Sequence, residues 1–234
     1  MQTLTDKTIG EIAAENPAAI AVFERFGMDY CCGGRRPLDQ ACAEAGISVD
    51  EFGRALDATA PLPELGLDWS TRSLTDLHAY LVARFHVHAR EELQVLQTLS
   101  AKVVSVHGRN HPELLRIDAL VEALQQDMLP HMVKEEMVLF PYVDQLETSD
   151  VPPGSCFGTI ENPIRVMLLE HEAVGDLLRD LRANSDEYTP PDDACFSYRE
   201  LYRRLAAFER ETHEHIHLEN NVYFPRAVEL EHGA

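Results

Sequence analysis

One pattern occurs twice in this chain: H-M-V-K-E-E-M-V-L-F-P spans His131–Pro141, and H-I-H-L-E-N-N-V-Y-F-P spans His215–Pro225. The His, the first Glu, the Phe and the Pro of the first copy each recur 84 positions later. A further pair, His86 and His171, precedes the two copies and is separated by 85 positions. Each half therefore offers one distant His, followed by a His and a Glu four residues apart. This duplicated set predicts both the fold and the functional centre.

The composition restricts the class of protein. The chain has 234 residues, of which 45% are hydrophobic, so it is long enough to bury a sizeable globular core. Its formal net charge of −20 argues against nucleic-acid binding, which needs a basic face, and favours the attraction of cations. No N-terminal apolar stretch follows a basic start, and no apolar run approaches the roughly 18 residues of a membrane span. We therefore expect a cytoplasmic protein without nucleic-acid or membrane partners.

Residues 1–58 predict a small helical domain. Pro17 and Pro37 can each open a helix, because proline is tolerated in the first helical turn. The motif D-Y-C-C-G-G spans residues 29–34 within this region. Residues 59–72 are rich in Pro and Gly and predict a linker.

Residues 73–232 predict a four-helix bundle. Apolar residues recur at three- and four-residue steps over four long segments. The predicted helices span about 74–106, 112–147, 162–183 and 196–231. Pro130 lies inside the second helix and predicts a kink, and Asn162 is the expected cap of the third. No segment alternates with a strand period, and short connections imply antiparallel neighbours. The predicted fold is an all-α antiparallel four-helix bundle that follows a small helical domain.

The repeated His-Glu pairs predict a metal centre. Side chains at i and i+4 of a helix point the same way, so each pair can hold one ion. Imidazole with carboxylate suits iron, manganese or zinc rather than calcium or copper(I). Because a carboxylate can bridge two ions, the full set suits a dinuclear centre with positions open for a small ligand. The predicted ligands are His86, His131, Glu135, His171, His215 and Glu219.

Other residues compete for these roles. His213 and His217 face away from His215, so we expect them on the solvent-exposed outer face of the helix. His88 lies two residues after His86, but its same-face neighbours are charged whereas those of His86 are apolar, so His86 is preferred. The remaining histidines are expected at the surface; they are His78, His107, His111 and His232.

Two acidic residues lie close to predicted ligands in the sequence. Glu170 precedes His171, and Asp127 lies one turn before His131. Each is either a solvated side chain or a residue that supports a ligand or handles protons.

The cysteines divide into an adjacent pair and three isolated residues. Five is an odd number without paired spacing, so no disulfide framework is expected. Cys31 and Cys32 are adjacent, which disfavours both a mutual disulfide and chelation of one ion. They occupy a predicted tight turn, where a nearby helix start would lower a thiol pKa and favour a thiol function. Buried structural roles are expected for the others, Cys42, Cys156 and Cys195.

These motifs together resemble the repair-of-iron-centres family of hemerythrin-like di-iron proteins over nearly the whole length. The residues that carry the resemblance are D-Y-C-C-G-G, the two motif copies, and E-H at 170–171. The resemblance implies a hemerythrin-like bundle in which the six predicted ligands hold two iron ions and Glu135 and Glu219 bridge them. The chain departs from related sequences at Ala89, where they tend to have a second His, and at Asp127, where they tend to have Glu.

The resemblance also implies a function. Its members are implicated in restoring iron–sulfur clusters damaged under nitrosative and oxidative stress, so damaged iron–sulfur proteins and nitric oxide are the implied partners. Iron donation and reduction of nitric oxide to nitrous oxide are the implied activities, with Cys31, Cys32 and Glu170 as assisting catalytic residues. Whether the chain is an enzyme stays open, and the linker permits a homodimer.

Two other functions are compatible with parts of the pattern. One is a hemerythrin-like protein that binds or senses oxygen or nitric oxide without turnover. Such carriers generally use five His and two carboxylates, so a set of four His fits them less well. The other is a structural zinc bundle, but structural zinc prefers cysteine ligands in closed tetrahedral sites.

Overall fold

The N-terminal part of the chain folds into four short helices. The structure is a computed structural model that describes residues 4, 7–59, 69, 71–149 and 154–233. The helices are α1 (Ile9–Glu15), α2 (Ala18–Arg25), α3 (Leu38–Glu44) and α4 (Val49–Ala58). Phe23 is fully buried at their centre, with its ring stacked on Tyr30 at 5.8 Å and on Phe52 at 5.1 Å. These helices therefore bury a hydrophobic core of their own.

Four long helices form the rest of the described chain, three of them interrupted by a π turn. The first comprises α5 (Leu74–Leu81), the π turn Val82–His86 and α6 (Val87–His107). The second comprises α7 (Glu113–Lys134), the π turn Glu135–Leu139 and α8 (Phe140–Thr148). The third is α9 (Glu161–Asn184). The fourth comprises α10 (Phe196–Leu218), the π turn Glu219–Tyr223 and α11 (Phe224–Gly233).

The predicted fold class is confirmed. Each predicted bundle helix is present, and its ends lie within a few residues of the predicted ones. The second helix continues through Pro130, which lies inside α7. Among the described residues, the only β-type pairing is an isolated bridge between Thr8 and Pro37. Most of the predicted linker, 59–72, lies outside the described residues.

The Phe-Pro pair that ends each motif copy explains two of the π turns. Pro141 and Pro225 have no N–H to donate, and their rings would clash with the carbonyl group four residues earlier in an α-helix. In the structure, the backbone instead forms an i to i−5 hydrogen bond just before each proline. Phe140 N–H donates to Glu135 O, and Phe224 N–H donates to Glu219 O. The local wide turn thus begins at the glutamate of each copy.

The repeat extends to the helix starts, where the first half carries one more residue before its imidazole than the second. Glu147 accepts hydrogen bonds from the first backbone N–H groups of α5, at Leu74 (2.7 Å). Glu231, 84 positions later, accepts from Ile160 at the start of α9 (3.0 Å). His86 lies 12 residues after Leu74, whereas its counterpart lies 11 residues after Ile160. The π turn before His86 takes up the extra residue, because a π turn holds more residues than an α turn.

The cap predicted at Asn162 is wrong. Helix α9 begins at Glu161, so Asn162 lies inside its first turn, and its side chain donates to Phe157 O (2.9 Å). The carboxylate of Glu231 satisfies the helix start instead. This partner comes from a helix distant in sequence, so no local pattern could predict it.

The bundle interior has two hydrophobic layers. One surrounds Leu93, Leu124 and Leu178, and the other surrounds Leu139 and Tyr223. The predicted metal ligands lie along the helices between these layers. None of the helices in the described part of the chain combines the length and apolarity that a membrane crossing requires.

The N-terminal helices dock on the fourth bundle helix through Asn221. Its Nδ2 donates to the carbonyl oxygens of Tyr30 (3.2 Å) and Cys31 (3.3 Å). A Cβ on Gly10 would lie 2.5 Å from Asn221 Oδ1 and 2.9 Å from Gly34 O, so only glycine permits this approach. The contact places the Cys-Cys turn beside the bundle.

Candidate metal centre

All six predicted ligands meet in the bundle interior. Every one of them is at most 4% exposed. Their ligand atoms form two groups of four, each within 4.8 Å: His86, Glu135, His215 and Glu219, and His131, Glu135, His171 and Glu219. Glu135 and Glu219 belong to both groups. The arrangement therefore has two adjacent sub-sites that share two carboxylates.

The distances within each group match those between ligands of one ion. The Nε2 atoms of His86 and His215 are 3.1 Å apart, and those of His131 and His171 are 3.0 Å apart. His215 Nε2 lies 2.9 Å from Glu219 Oε1. Nitrogen ligands bound at about 2.1 Å and at right angles lie about 3.0 Å apart. Both imidazole pairs are thus spaced as neighbouring ligands would be.

The hydrogen bonds leave lone pairs directed at one another. The Nδ1–H groups of His131 and His171 donate outward, to Glu170 Oε2 (2.8 Å) and Asn220 Oδ1 (2.7 Å). When both imidazoles are neutral in these tautomers, as metal binding requires, the facing Nε2 atoms carry no proton, so two lone pairs oppose each other and a cation between them relieves the repulsion. Among the described residues, Glu135 Oε1 and Oε2 and Glu219 Oε2 are buried without a hydrogen-bond donor. Buried acceptors of this kind are costly unless they bind a cation, so the residues fit a metal.

The charges of the cluster also favour cations. Burial alone would raise the pKa of Glu219, but the neighbouring imidazoles, His215 first, hold that pKa well below its ordinary value. Burial lowers the pKa of His131, whereas the charge of Glu135 and hydrogen bonds raise it, and the net result is about 9. Glu219 is therefore ionised at neutral pH, and its charge lies between the two sub-sites.

Outer partners fix the imidazole rings. His86 Nδ1–H donates to Glu136 Oε1 (2.7 Å), which Arg90 also contacts (2.8 Å). Glu170 holds His131 and also pairs with Lys134. Such second contacts select the tautomer and increase the basicity of a metal-binding imidazole. Glu170 thus takes the supporting position that was one of its two predicted alternatives, while Asp127 is exposed.

Sequence reasoning missed Glu136 and Asn220. Each immediately follows the repeated glutamate, and each reaches an imidazole on the neighbouring helix rather than on its own. The signal was present in the motifs, where E-E and E-N stand at matching positions. Assigning a partner required the packing of the helices, which the motif does not contain.

The rival histidines lie outside the cluster, but His213 and His217 are covered by the N-terminal helices rather than exposed to solvent. His88 is 43% exposed and pairs with Glu211 (3.0 Å), which agrees with the preference for His86. The predicted wet outer face for His213 and His217 is wrong, because the N-terminal helices cover it. His213 pairs with Glu24 (2.8 Å), and burial lowers the pKa of His217 to about 4.

Of the histidines expected at the surface, His232 is exposed there. His78 is half-buried, and its ring stacks on Phe140 at 4.9 Å. His107 and His111 are also half-buried and pack beside Tyr198. These contacts come from neighbouring helices, so same-helix patterns did not reveal them.

The Cys-Cys turn lies against α9. Cys32 Sγ is 3.5 Å from the carbonyl oxygen of His171, and Asn220 Nδ2 donates to Cys31 O (3.3 Å). The expectation of a lowered thiol pKa is wrong for Cys31. The hydrogen bond with Cys32, together with burial and the charge of Asp29, raises the pKa of the Cys31 thiol well above its ordinary value.

All five cysteines are free thiols. Cys42 is buried, as expected. Cys156 and Cys195 are exposed, so the buried structural role predicted for them is wrong. Both lie outside the long helices, at a loop and at the residue preceding α10, where the bundle core does not reach.

Comparison with known proteins gives the family. Residues 77–227 match the family model described as "Hemerythrin HHE cation binding domain", and residues 5–60 match that of ScdA_N, described as "Domain of Unknown function (DUF542)". The iron-sulfur cluster repair protein YtfE of Yersinia pseudotuberculosis serotype IB (strain PB1/+) is 33% identical over 223 residues, which cover 95% of this chain and 97% of that protein. This chain belongs to the YtfE family. The YtfE of Yersinia pestis (strain Pestoides F) gives the same identity and coverage.

The YtfE family assignment confirms the resemblance that the motifs predicted. All six predicted ligands lie in the segment that matches the hemerythrin model, and the Cys-Cys turn lies in the ScdA_N segment. A hemerythrin cation-binding segment and a buried His/Glu cluster thus occur in the same four helices.

Proposed function

We propose that this chain is a di-iron protein of the cytoplasm that repairs or protects iron–sulfur clusters. The observation that carries the proposal is the pair of four-ligand groups with two shared, buried carboxylates. The names of its YtfE relatives, which are iron-sulfur cluster repair proteins, support the repair role. Damaged iron–sulfur proteins are the proposed partners, and nitric oxide is the proposed small ligand.

In this proposal, the imidazoles of each sub-site come from two neighbouring helices of the bundle. His86 and His215 would hold one iron, His131 and His171 would hold the other, and both sub-sites would share Glu135 and Glu219. Four His and two Glu would leave room for a small ligand on each iron, because non-haem iron commonly takes more ligands than these residues supply to each. The buried apolar layers on both sides keep bulk water away from the pair.

Two activities follow from such a pair. When two ferrous ions are bound, they supply one electron each, so that two nitric oxide molecules and two protons yield nitrous oxide and water. Alternatively, one iron leaves the site and enters a damaged cluster. Glu170 contacts both His131 and solvent, since its side chain is 31% exposed. It is therefore placed to hold the imidazole in either activity and to exchange protons with water.

Metal analysis and nitric oxide chemistry test the proposal together. Protein made with ample iron and purified without oxygen should contain two irons per chain. After rapid mixing of the diferrous protein with nitric oxide, we expect nitrous oxide to form in a single turnover. A persistent nitrosyl adduct without nitrous oxide would reject the reductase activity, and a long-lived reversible oxygen adduct would indicate a carrier instead.

Reconstitution of a damaged iron–sulfur enzyme tests the repair role. His86→Ala and Glu135→Ala should each abolish repair, because each removes a ligand that no neighbouring residue replaces. Glu172→Ala is the matched control, since Glu172 is exposed on α9 beside His171. Undiminished repair by the ligand variants would show that this site is not the source of activity.

A further inference from the structure

The Cys-Cys turn contains a second group of metal-ligand atoms. Asp29, Cys31 and Cys32 offer a carboxylate oxygen and two sulfurs, all within 4.8 Å of one another. The two Sγ atoms are 4.0 Å apart, and Cys31 Sγ lies 3.3 Å from Asp29 Oδ1. Adjacency was expected to keep these thiols from sharing an ion. The structure instead directs both sulfurs to the same side of the turn.

The glycines that follow make this geometry possible. A Cβ on Gly33 would lie 2.7 Å from Asp29 O, and a Cβ on Gly34 would lie 2.8 Å from Tyr30 O. Only glycine lets the chain fold back this closely over the preceding residues. Cys32 N–H then donates to Asp29 Oδ1 (2.9 Å), which fixes the carboxylate beside the sulfurs.

We infer that Asp29, Cys31 and Cys32 bind a single divalent transition-metal ion, separate from the His/Glu cluster. In a tetrahedral site with metal–sulfur bonds of about 2.3 Å, sulfur ligands lie about 3.8 Å apart. The observed separation of 4.0 Å needs little adjustment. Two thiolates with one carboxylate suit zinc, cobalt or ferrous iron, because copper(I) prefers an all-sulfur set.

The surroundings balance the charge of such a site. Two thiolates, one carboxylate and one divalent ion carry a net charge of −1. Arg179 Nη1 lies 3.9 Å from Asp29 Oδ2, and Arg36 Nη2 donates to Asp29 O (3.1 Å). Binding requires both thiols to lose a proton, so one ion replaces two protons, which pass to solvent on the partly exposed side of Cys32 and Asp29.

The site adjoins the His/Glu cluster without sharing a ligand with it. Cys32 Sγ touches the backbone carbonyl of His171, and Asn220 bonds both His171 Nδ1 and Cys31 O. A ligand of an ion at the turn, Cys32, would therefore be in direct contact with the backbone of His171, a predicted ligand of the other centre. This contact passes through backbone and amide groups only, so the two centres can be loaded independently.

Cobalt titration of the iron-loaded protein tests the inference. We expect one equivalent of Co²⁺ to produce a thiolate-to-cobalt charge-transfer band and to release two protons, measured with an indicator in weak buffer. Cys32→Ser should abolish the band, and Asp29→Asn should lower the affinity about tenfold. Cys195→Ser is the matched control, since exposed Cys195 lies 3.1 Å from His107 and is a second thiol beside a possible metal ligand.

The outcomes separate this site from the di-iron proposal. The band should persist in Glu135→Ala protein that has lost its iron. Cys31 is buried, so Cys32→Ser, at a partly exposed position, is the primary variant, with its iron content measured to check the fold. A band that persists in Cys32→Ser, or no band in the unaltered protein, would overturn the inference.

Discussion

The two halves of the bundle hold their imidazoles with different partners. Glu136 in the first half supports His86, whereas the equivalent residue in the second half, Asn220, supports His171. Glu170 supports His131. Its equivalent for His215 is Phe85, whose ring stacks on that imidazole at 5.3 Å. The repeat thus conserves the ligands' positions while it exchanges carboxylates for neutral groups.

This difference distributes the carboxylate partners evenly between the two sub-sites. Each sub-site combines one carboxylate-backed imidazole, from the first half, with one neutral-backed imidazole, from the second. His86 is paired with His215, and His131 with His171. A carboxylate partner makes an imidazole a stronger donor, so each sub-site has one stronger and one weaker nitrogen donor. Asymmetric halves therefore produce two similar sub-sites.

The largest expected effect tests whether the halves share both ions. Glu135→Ala and Glu219→Ala should each remove the iron of both sub-sites, because each carboxylate belongs to both groups. Metal content per chain is the measurement, with Glu172→Ala as the control. Loss of only one iron in either variant would contradict a double bridge and assign that glutamate to one ion.

The next effect tests the exchange of carboxylate for amide. Glu136→Gln should weaken iron binding about 10- to 100-fold, because the Nδ1–H of His86 loses a charged acceptor. Asn220→Asp should strengthen it, since it gives His171 the partner that His86 already has. Competition with a chelator under anaerobic conditions measures both. Equal affinity in all three proteins would show that the outer partners do not tune the centre.

A third prediction concerns the N-terminal helices, which cover only one half. Asn221 bonds two carbonyl oxygens of the Cys-Cys turn, whereas its counterpart Met137 is 73% exposed. Asn221→Met should lower the free energy of unfolding by roughly 1–3 kcal/mol, because the carbonyl oxygens of Tyr30 and Cys31 each lose one hydrogen-bond donor. It should also speed alkylation of Cys32. Met137→Asn is the mirror control and should change neither quantity.

The smallest effect concerns the matching helix caps. Glu147→Gln and Glu231→Gln should each lower the free energy of unfolding at pH 7 by about 0.5–1 kcal/mol. The expected loss is small because both side chains are partly exposed to water, which weakens their electrostatic interactions. Glu231 should have the larger effect, since Thr159 and Tyr142 also donate to it. Chemical denaturation measures the difference.

The pH dependence of these caps has a fixed sign. Burial raises the pKa of both carboxyl groups, but the hydrogen bonds that they accept lower it overall in the folded state. Their stabilisation is therefore complete above the ordinary value of 4.5 and is lost as the pH falls through the lowered folded pKa. A variant that remains less stable than the parent at strongly acid pH would assign the effect to packing.

The sequence allowed the helices and the six clustered residues to be predicted because both depend on local periodicity. His131 and Glu135 share a helix face however the helices pack, because they are four residues apart in one helix. The repeat identified their counterparts, His215 and Glu219. The covering of His217, the partner of Glu136 and the cap by Glu231 depend on which helices meet. Those contacts join residues that are far apart in sequence, and no spacing along one helix determines them.

Each sub-site takes one imidazole from each half, and this has a consequence for the evolution and engineering of the fold. Two separately expressed pieces, divided between α8 and α9, would each contain half of every ligand set. Binding of iron would then drive the association of the two pieces. With a split fluorescent protein attached to the pieces, complementation would report available iron in a living cell.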